Sequence, residues 1–218
     1  MNTPRTAAYY LAALFERRPA LETCREQIAQ AEAALLKCYR SGGKLLLCGN
    51  GGSAADCEHI AGELLKGFMS KRPLPASERA KLSPGLASSL QGGLPAIPLC
   101  GFPALGTAFT NDVDPLLIYA QLTWALGKPG DVLLGISTSG NARNVGAAVE
   151  AAKARGLCTI GLTGRHGGAL KTSVDICINV PADETYLIQE YHLPVYHYLC
   201  QALETTLFPE SGPAGSYS

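Results

Sequence analysis

Apolar and polar positions along this chain fall into blocks of two kinds. Short runs that are apolar almost throughout lie at 44–48, 95–100, 131–136, 157–162 and 175–180. Runs of that length without polar alternation read as strands buried on both faces. Between them lie longer stretches in which apolar residues recur every three or four positions. Over 20–40, Leu21, Cys24, Ile28, Ala31, Leu35 and Cys38 share one face of a helix. The stretches 7–15, 54–66 and 142–154 also read as helices. Strands that alternate with helices predict a parallel sheet wrapped by helices on both faces, preceded here by a helical segment over 5–40.

One stretch breaks the rhythm. Ser70 to Gly93 carries Pro73, Pro75 and Pro84 among the charges Lys71, Arg72, Glu78, Arg79 and Lys81. It is long for a crossover and has room for one short helix; it reads as a surface loop, with a lid or an intersubunit flap over a site as the alternative. No internal repeat or low-complexity block appears, so 1–208 is expected to be one domain and 209–218 a flexible tail.

Two strand-to-helix junctions carry the strongest local signal. The first is Gly49-Asn50-Gly51-Gly52-Ser53, where glycines let the backbone turn tightly and Ser53 opens the next helix. The second, Ser137-Thr138-Ser139-Gly140-Asn141, brings hydroxyls to another helix start. Both are suited to holding a phosphate monoester on backbone N–H groups and hydroxyls. Neither is a P-loop, for no Gly-Lys-Ser/Thr follows, nor a G-x-G-x-x-G dinucleotide loop. The alternative is that Ser139 or Asn141 merely caps its helix. In a parallel sheet both loops fall at the carboxyl ends of strands, where ligands bind.

Composition narrows the partners. The 218 residues carry 18 basic and 18 acidic side chains and a net charge of zero, so no basic field argues for nucleic acid. The apolar runs are too short to cross a bilayer, and Met1-Asn2-Thr3-Pro4-Arg5 lacks the order of a signal peptide. The 8 cysteines contain no C-x-x-C, and Cys48, Cys100, Cys158 and Cys177 sit in or beside strands, which reads as buried thiols in a reducing cytoplasm.

Candidate catalytic groups cluster in two helical stretches. His59 and Glu63, at i and i+4, project from one helix face. Near the C-terminus, Gln189, Glu190, His192 and His197 occupy a second stretch. A glutamate and a histidine can move a proton between adjacent carbons of a sugar phosphate through an enediol. Histidine, glutamate and glutamine could also bind a divalent metal that polarises a carbonyl. The plainer alternatives are a surface pair at His59 and Glu63 and a core histidine at His197.

Taken together, Gly49-Asn50-Gly51-Gly52-Ser53-Ala54-Ala55-Asp56, His59, Glu63, Ser137-Thr138-Ser139-Gly140-Asn141 and Ile188-Gln189-Glu190 resemble the sugar-isomerase (SIS) domain family, and within it the phosphoheptose isomerases. Leu162-Thr163-Gly164 followed by Gly167-Gly168 adds to the match, which runs from about residue 20 to 207. The resemblance implies a three-layer αβα, flavodoxin-like fold with a five-stranded parallel sheet, and a homotetramer or dimer of dimers with active sites at subunit interfaces. It implies conversion of sedoheptulose 7-phosphate to D-glycero-D-manno-heptose 7-phosphate. Asn50, Gly51, Gly52, Ser53, Ser137, Thr138, Ser139 and Gln189 would bind substrate, with Asn111 and Asp112 near the sugar. Glu63 and His197 match the acid/base pair, and His59, Glu63, Gln189 and His197 match positions that ligate zinc in some members. Gln189 and His197 are eight residues apart, about 12 Å of helix rise, so one metal would need a bent helix or facing subunits.

The chain departs from that pattern at several points. Ala142 stands where another serine is common, Gly67 where an arginine is usual, and Leu187 where an arginine precedes Ile-Gln-Glu. Lys66, Arg143 or Arg72 from a neighbouring copy are the cations left to compensate. A non-catalytic branch of the same superfamily binds the bacterial replication initiator, and Glu204-Thr205-Thr206-Leu207-Phe208-Pro209 is similar to it, yet this chain keeps Glu63 and His197. A sugar-phosphate sensor without turnover is a further alternative.

Overall fold

Burial on both faces is what the apolar runs demand, and a parallel sheet between helix layers supplies it. The computed structural model describes residues 5–209, so the expected tail lies, Pro209 apart, outside the described residues. The strands are β1 (Leu45–Gly49), β2 (Ala96–Pro98), β3 (Val132–Ser137), β4 (Cys158–Thr163) and β5 (Ile176–Asn179). They form one sheet, parallel throughout, in the order β2-β1-β3-β4-β5. The helices are α1 (Ala7–Arg17), α2 (Arg25–Arg40), α3 (Gly52–Leu65), α4 (Ala76–Arg79) and α5 (Pro84–Ser89), followed by α6 (Pro103–Asp112), α7 (Ile118–Leu126), α8 (Arg143–Ala154), α9 (Leu170–Ser173) and α10 (Thr185–Leu207).

Side chains alternate across the sheet. Leu45 and Leu47 join Val132, Leu134, Ile160 and Ile178 in a core closed by α2, α3 and α10, with α1 packed outside α10. Leu46, Cys48 and Leu133 enter a second core under α7 and α8. The αβα sandwich is therefore present, and its five strands match the five apolar runs.

Three boundaries differ from the pattern-based reading. The helix expected over 20–40 is split into a 3₁₀ turn, Pro19–Cys24, and α2, which starts at Arg25. Leu21 and Cys24, three apart, fit a 3₁₀ turn as well as an α-helix, so periodicity does not separate the two. β2 covers 96–98 and gives way to a 3₁₀ turn at Leu99–Gly101; Pro98 offers no N–H with which to extend the ladder. The 70–93 stretch holds two short helices, α4 and α5, and its base is pinned by a bridge between Pro73 and Gln91.

The sheet order positions the site. From β1 the chain passes outward to β2 and then returns to the other side of β1 as β3. The loops after β1 and β3 diverge at this reversal and leave a crevice at the carboxyl ends of the strands. Both hydroxyl-bearing junctions border it.

Candidate active site

The crevice is built by close backbone approaches. Gly140 has φ +68°, and a Cβ there would lie 1.9 Å from the carbonyl oxygen of Gly167. The Ser137–Asn141 loop thus rests directly on the loop after β4, and the Gly164 N–H donates to the Thr138 carbonyl at 2.9 Å. Across the crevice, Asn50 and Asn144 exchange amide hydrogen bonds of 2.9 and 2.8 Å and tie the first loop to α8. The buried Tyr119 hydroxyl donates to the Gly49 carbonyl at 2.6 Å.

Ser53 and Ser137 are buried, and Ser139 is exposed. The Ser53 N–H is turned back to the Asn50 carbonyl at 3.0 Å, so of the hydroxyl and backbone donors expected at this junction Ser53 itself offers its hydroxyl. The capping alternative for the second loop does not hold. The residue before α8 is Ala142, which makes no side-chain cap bond. Asn141 instead accepts from the Ala169 N–H at 2.9 Å, and Ser139 Oγ accepts from the Asn141 N–H at 3.2 Å.

Gln189 belongs to this end of the site. A Cβ on Gly52 would fall 2.4 Å from Gln189 Nε2, so the side-chain amide packs directly against the glycine. From there α3 and α10 run side by side in the same direction. Tyr196 meets Asp56 and His59, and Glu204 accepts from the N–H groups of Phe68 and Met69 just past the end of α3.

Further along the two helices lies the acid/base cluster. His59 Nε2 is 3.4 Å from Glu63 Oε1 and 3.3 Å from His197 Nε2, so His59 stands between the two expected proton-transfer residues. Lys66 Nζ is 3.4 Å from Glu63 Oε2. The Phe68 ring centroid is 5.5 Å from that of His197. Burial pushes the His197 imidazole below its usual range, His59 pushes it further, and Glu63 opposes both. Tyr196, also buried, has its hydroxyl 3.1 Å from Asp56 Oδ1 and 3.1 Å from His59 Nδ1. Burial raises the Asp56 carboxyl, against the lowering effects of the Tyr196 hydrogen bond and His59. A cavity of about 340 Å³ lies between α1 and α10 and reaches His197, with Arg5, Arg17 and Glu190 on its walls.

Other expected residues sit apart from this cluster. Asn111 and Asp112 end α6, exposed, with the Asn111 amide donating to Asp112 Oδ1 at 2.8 Å. Arg72 is not available to a phosphate. It is 0% exposed, and its guanidinium donates to Glu204 Oε1 at 2.6 Å and to the carbonyls of Leu64 and Glu63 at 2.7 and 3.2 Å. Arg143 is exposed at the first position of α8, beside the second loop. His192 is fully buried, with neither ring nitrogen in a well-formed hydrogen bond among the described residues, and burial lowers its pKa to about 4 against a smaller opposing effect from the Thr163 backbone. Asn144, Tyr119 and Tyr196 did not stand out in the sequence. Asn144 is three residues past Asn141, and Tyr196 adjoins His197; that nearness is the only local signal either carries.

The expected zinc set is brought together only in part. Two ligand atoms at 2.0–2.1 Å from a tetrahedral zinc stand about 3.3 Å apart. His197 Nε2 and Glu63 Oε1 stand at about that spacing from His59 Nε2, and the chemistry of the three groups suits the ion. Gln189 does not join them within one chain, because α10 is one continuous helix through Pro194 and keeps it at the Gly52 end. Among the described residues, no group of three or more His, Cys, Asp or Glu is already arranged around one metal position.

Known proteins resemble this chain in sequence and fold. The SIS domain family model matches residues 9–90 and 85–164. A phosphoheptose isomerase from Roseiflexus sp. (strain RS-1) is 41% identical over 199 residues, 91% of each chain. The solved phosphoheptose isomerase from Francisella tularensis superposes with a TM-score of 0.74 at 34% identity, covering 91% of this chain and 95% of the other. That from Neisseria gonorrhoeae gives 0.72 at 35% identity, covering 91% and 96%.

Proposed function

The chain belongs to the SIS domain family, is an isomerase, and from that premise we propose that it interconverts sedoheptulose 7-phosphate and D-glycero-D-manno-heptose 7-phosphate through an enediol. The observation that carries this reading is the Glu63–His59–His197 cluster, set along α3 from a hydroxyl-lined crevice. Along the axis of α3, His59 lies about 9 Å and Glu63 about 15 Å beyond Ser53. A heptose 7-phosphate has eight bonds between phosphorus and C1, about 10 Å when extended at roughly 1.2 Å per bond. A triose phosphate has only four and would not reach from the hydroxyls to the cluster.

In this reading Ser53, Ser137, Thr138 and Ser139 hold the phosphate at the N-terminal ends of α3 and α8, with Arg143 exposed at the first position of α8 as a cation beside the second loop. Asn50, Gly51, Gly52 and Gln189 line the path of the sugar, and Asn111 and Asp112, exposed at the end of α6, are assigned to the sugar by the family resemblance alone. Glu63 and His197 form the acid/base pair. One removes the proton from the carbon beside the carbonyl, the other protonates the carbonyl oxygen, and reversal at the neighbouring carbon delivers the aldose. If zinc binds, His59, Glu63 and His197 would hold it and it would polarise the carbonyl. We place the enzyme in the cytoplasm as one SIS domain over 1–208, assembled as a homotetramer or dimer of dimers.

The test is to incubate the protein with sedoheptulose 7-phosphate in deuterated water, with and without zinc, and follow it by NMR. Aldose phosphate carrying deuterium at C2 is the expected result. Thermal stabilisation by the sugar phosphate without conversion would instead favour a sensor.

A further inference from the structure

Asn50 and Asn144 face each other across the crevice, and one donor fixes how they are wired. The Val145 N–H belongs to the first turn of α8, where it has no partner within the helix, and it donates to Asn144 Oδ1 at 3.0 Å. A backbone N–H can only donate, so the Asn144 amide keeps its oxygen towards Val145. That same oxygen accepts from Asn50 Nδ2 at 2.9 Å, and Asn144 Nδ2 donates to Asn50 Oδ1 at 2.8 Å. Turning the Asn50 amide over would set N–H against N–H and oxygen against oxygen. Val145 therefore orients Asn144, and Asn144 orients Asn50.

Asn50 needs such a hold. It is exposed, directly follows β1, and its side chain has no hydrogen-bond partner besides Asn144 among the described residues. Its backbone carbonyl accepts from the Ser53 N–H at 3.0 Å, so the residue lies beside the first hydroxyl of the crevice. Asn144 uses one N–H of Asn50 Nδ2. The other meets no acceptor among the described residues and is open to a ligand hydroxyl.

We propose that Asn144 is a positioning residue that holds the Asn50 amide in one orientation, so that a hydroxyl of the sugar phosphate always meets the same N–H of Asn50. An untethered amide would present its N–H and its oxygen in turn and would have to be ordered when the ligand arrives, which weakens binding. A bare phosphate, held by serine and threonine hydroxyls and helix N-termini, makes no use of this contact. The pair thus favours a polyhydroxy phosphate over inorganic phosphate. The inference deepens the isomerase reading and rests on it for the identity of the sugar, but the tie between the two amides does not depend on that reading.

The test is a double-mutant cycle of Asn144→Ala, Asn50→Ala and the two combined. Alanine is the best helix former, so α8 should keep its fold, and the melting temperature checks this; Asn144→Ser takes its place if the alanine variant folds poorly. Asn144→Ala should raise KM for sedoheptulose 7-phosphate about fivefold and leave kcat within about twofold, as expected when an orienting hydrogen bond is lost at the Ser53 end of the site, away from Glu63. The inhibition constant of inorganic phosphate should stay within about twofold. In the Asn50→Ala background, Asn144→Ala should add nothing, since it acts only through Asn50. Additive effects in the cycle would overturn the inference, as would an unchanged KM in Asn144→Ala. Equal weakening of inorganic phosphate would also overturn it and make the pair a spacer between the two junctions. Failure of the isomerase reading looks different: the unmodified protein shows no turnover, and the same cycle is then read from calorimetric affinity for the sugar phosphate. A chain that binds no sugar phosphate at all would sink both.

Discussion

At the residue scale, the proposed chemistry rests on a few side chains whose roles separate in kinetics. Glu63→Gln keeps the shape of the cluster and removes the base. kcat should fall at least about a hundredfold, while the sugar phosphate still raises the melting temperature. Normal turnover would take Glu63 out of the chemistry. Ser139→Ala removes one phosphate hydroxyl from an exposed position. KM should rise about tenfold with little change in kcat, because phosphate contacts serve ground and transition state alike; an unchanged KM would place the phosphate elsewhere. These residues were legible because each sits in a motif whose spacing has a physical meaning. Tyr196 was not, since an aromatic residue within an apolar helix face reads as core, and it is indeed 1% exposed. Only the approach of Asp56 and His59 from another helix gives its hydroxyl a role.

At the element scale, α3 and α10 are the two bars that carry the cluster, and a buried ion pair clamps their far ends. Glu204 on α10 accepts from Arg72 and from the N–H groups of Phe68 and Met69, while Arg72 closes the last carbonyls of α3, that of Glu63 among them. Arg72→Leu would leave Glu204 at 1% exposure without its cation, held only by the two N–H groups, at a cost of about 3–5 kcal/mol. In a thermal melt this should appear as a fall of about 10 °C, with kcat lowered because Glu63 is less firmly held. Sequence reading took Arg72 for a surface charge in a proline-rich loop. Its partner lies 132 residues away, beyond the reach of any local pattern.

His192 gives α10 a second property. An unfolded histidine titrates near 6.5, whereas this one is lowered to about 4. Between those values the unfolded chain binds the extra proton, so the folded state loses stability as pH falls from about 6.5 to about 4, by at most about 3 kcal/mol. Above that window the contribution is complete. Melting temperatures measured across it should decline less steeply in His192→Gln than in the unmodified protein.

At the scale of the whole molecule, one chain gathers Glu63, His59 and His197, and this bears on any assembly. If copies associate, mixing Glu63→Gln subunits with His197→Asn subunits should not restore activity, because neither chain supplies a complete cluster. Recovery to about a quarter of normal turnover would show that the pair is formed across copies. Chelation followed by zinc addition is the matching test for metal: loss and recovery of activity is expected if zinc is used, and indifference removes that role. The sequence by itself determined the strand count, the αβα layering and the two hydroxyl-bearing junctions. Each of these follows from local rules, namely the period of apolar positions and the glycine and hydroxyl content of turns. The tertiary structure decided how the parts meet. It set Gln189 against Gly52 and away from His197, committed Arg72 to Glu204, and put His59 between Glu63 and His197. Those pairings depend on the strand order and on the parallel packing of α3 with α10, which bring together residues more than a hundred positions apart and leave no trace in the pattern around either one.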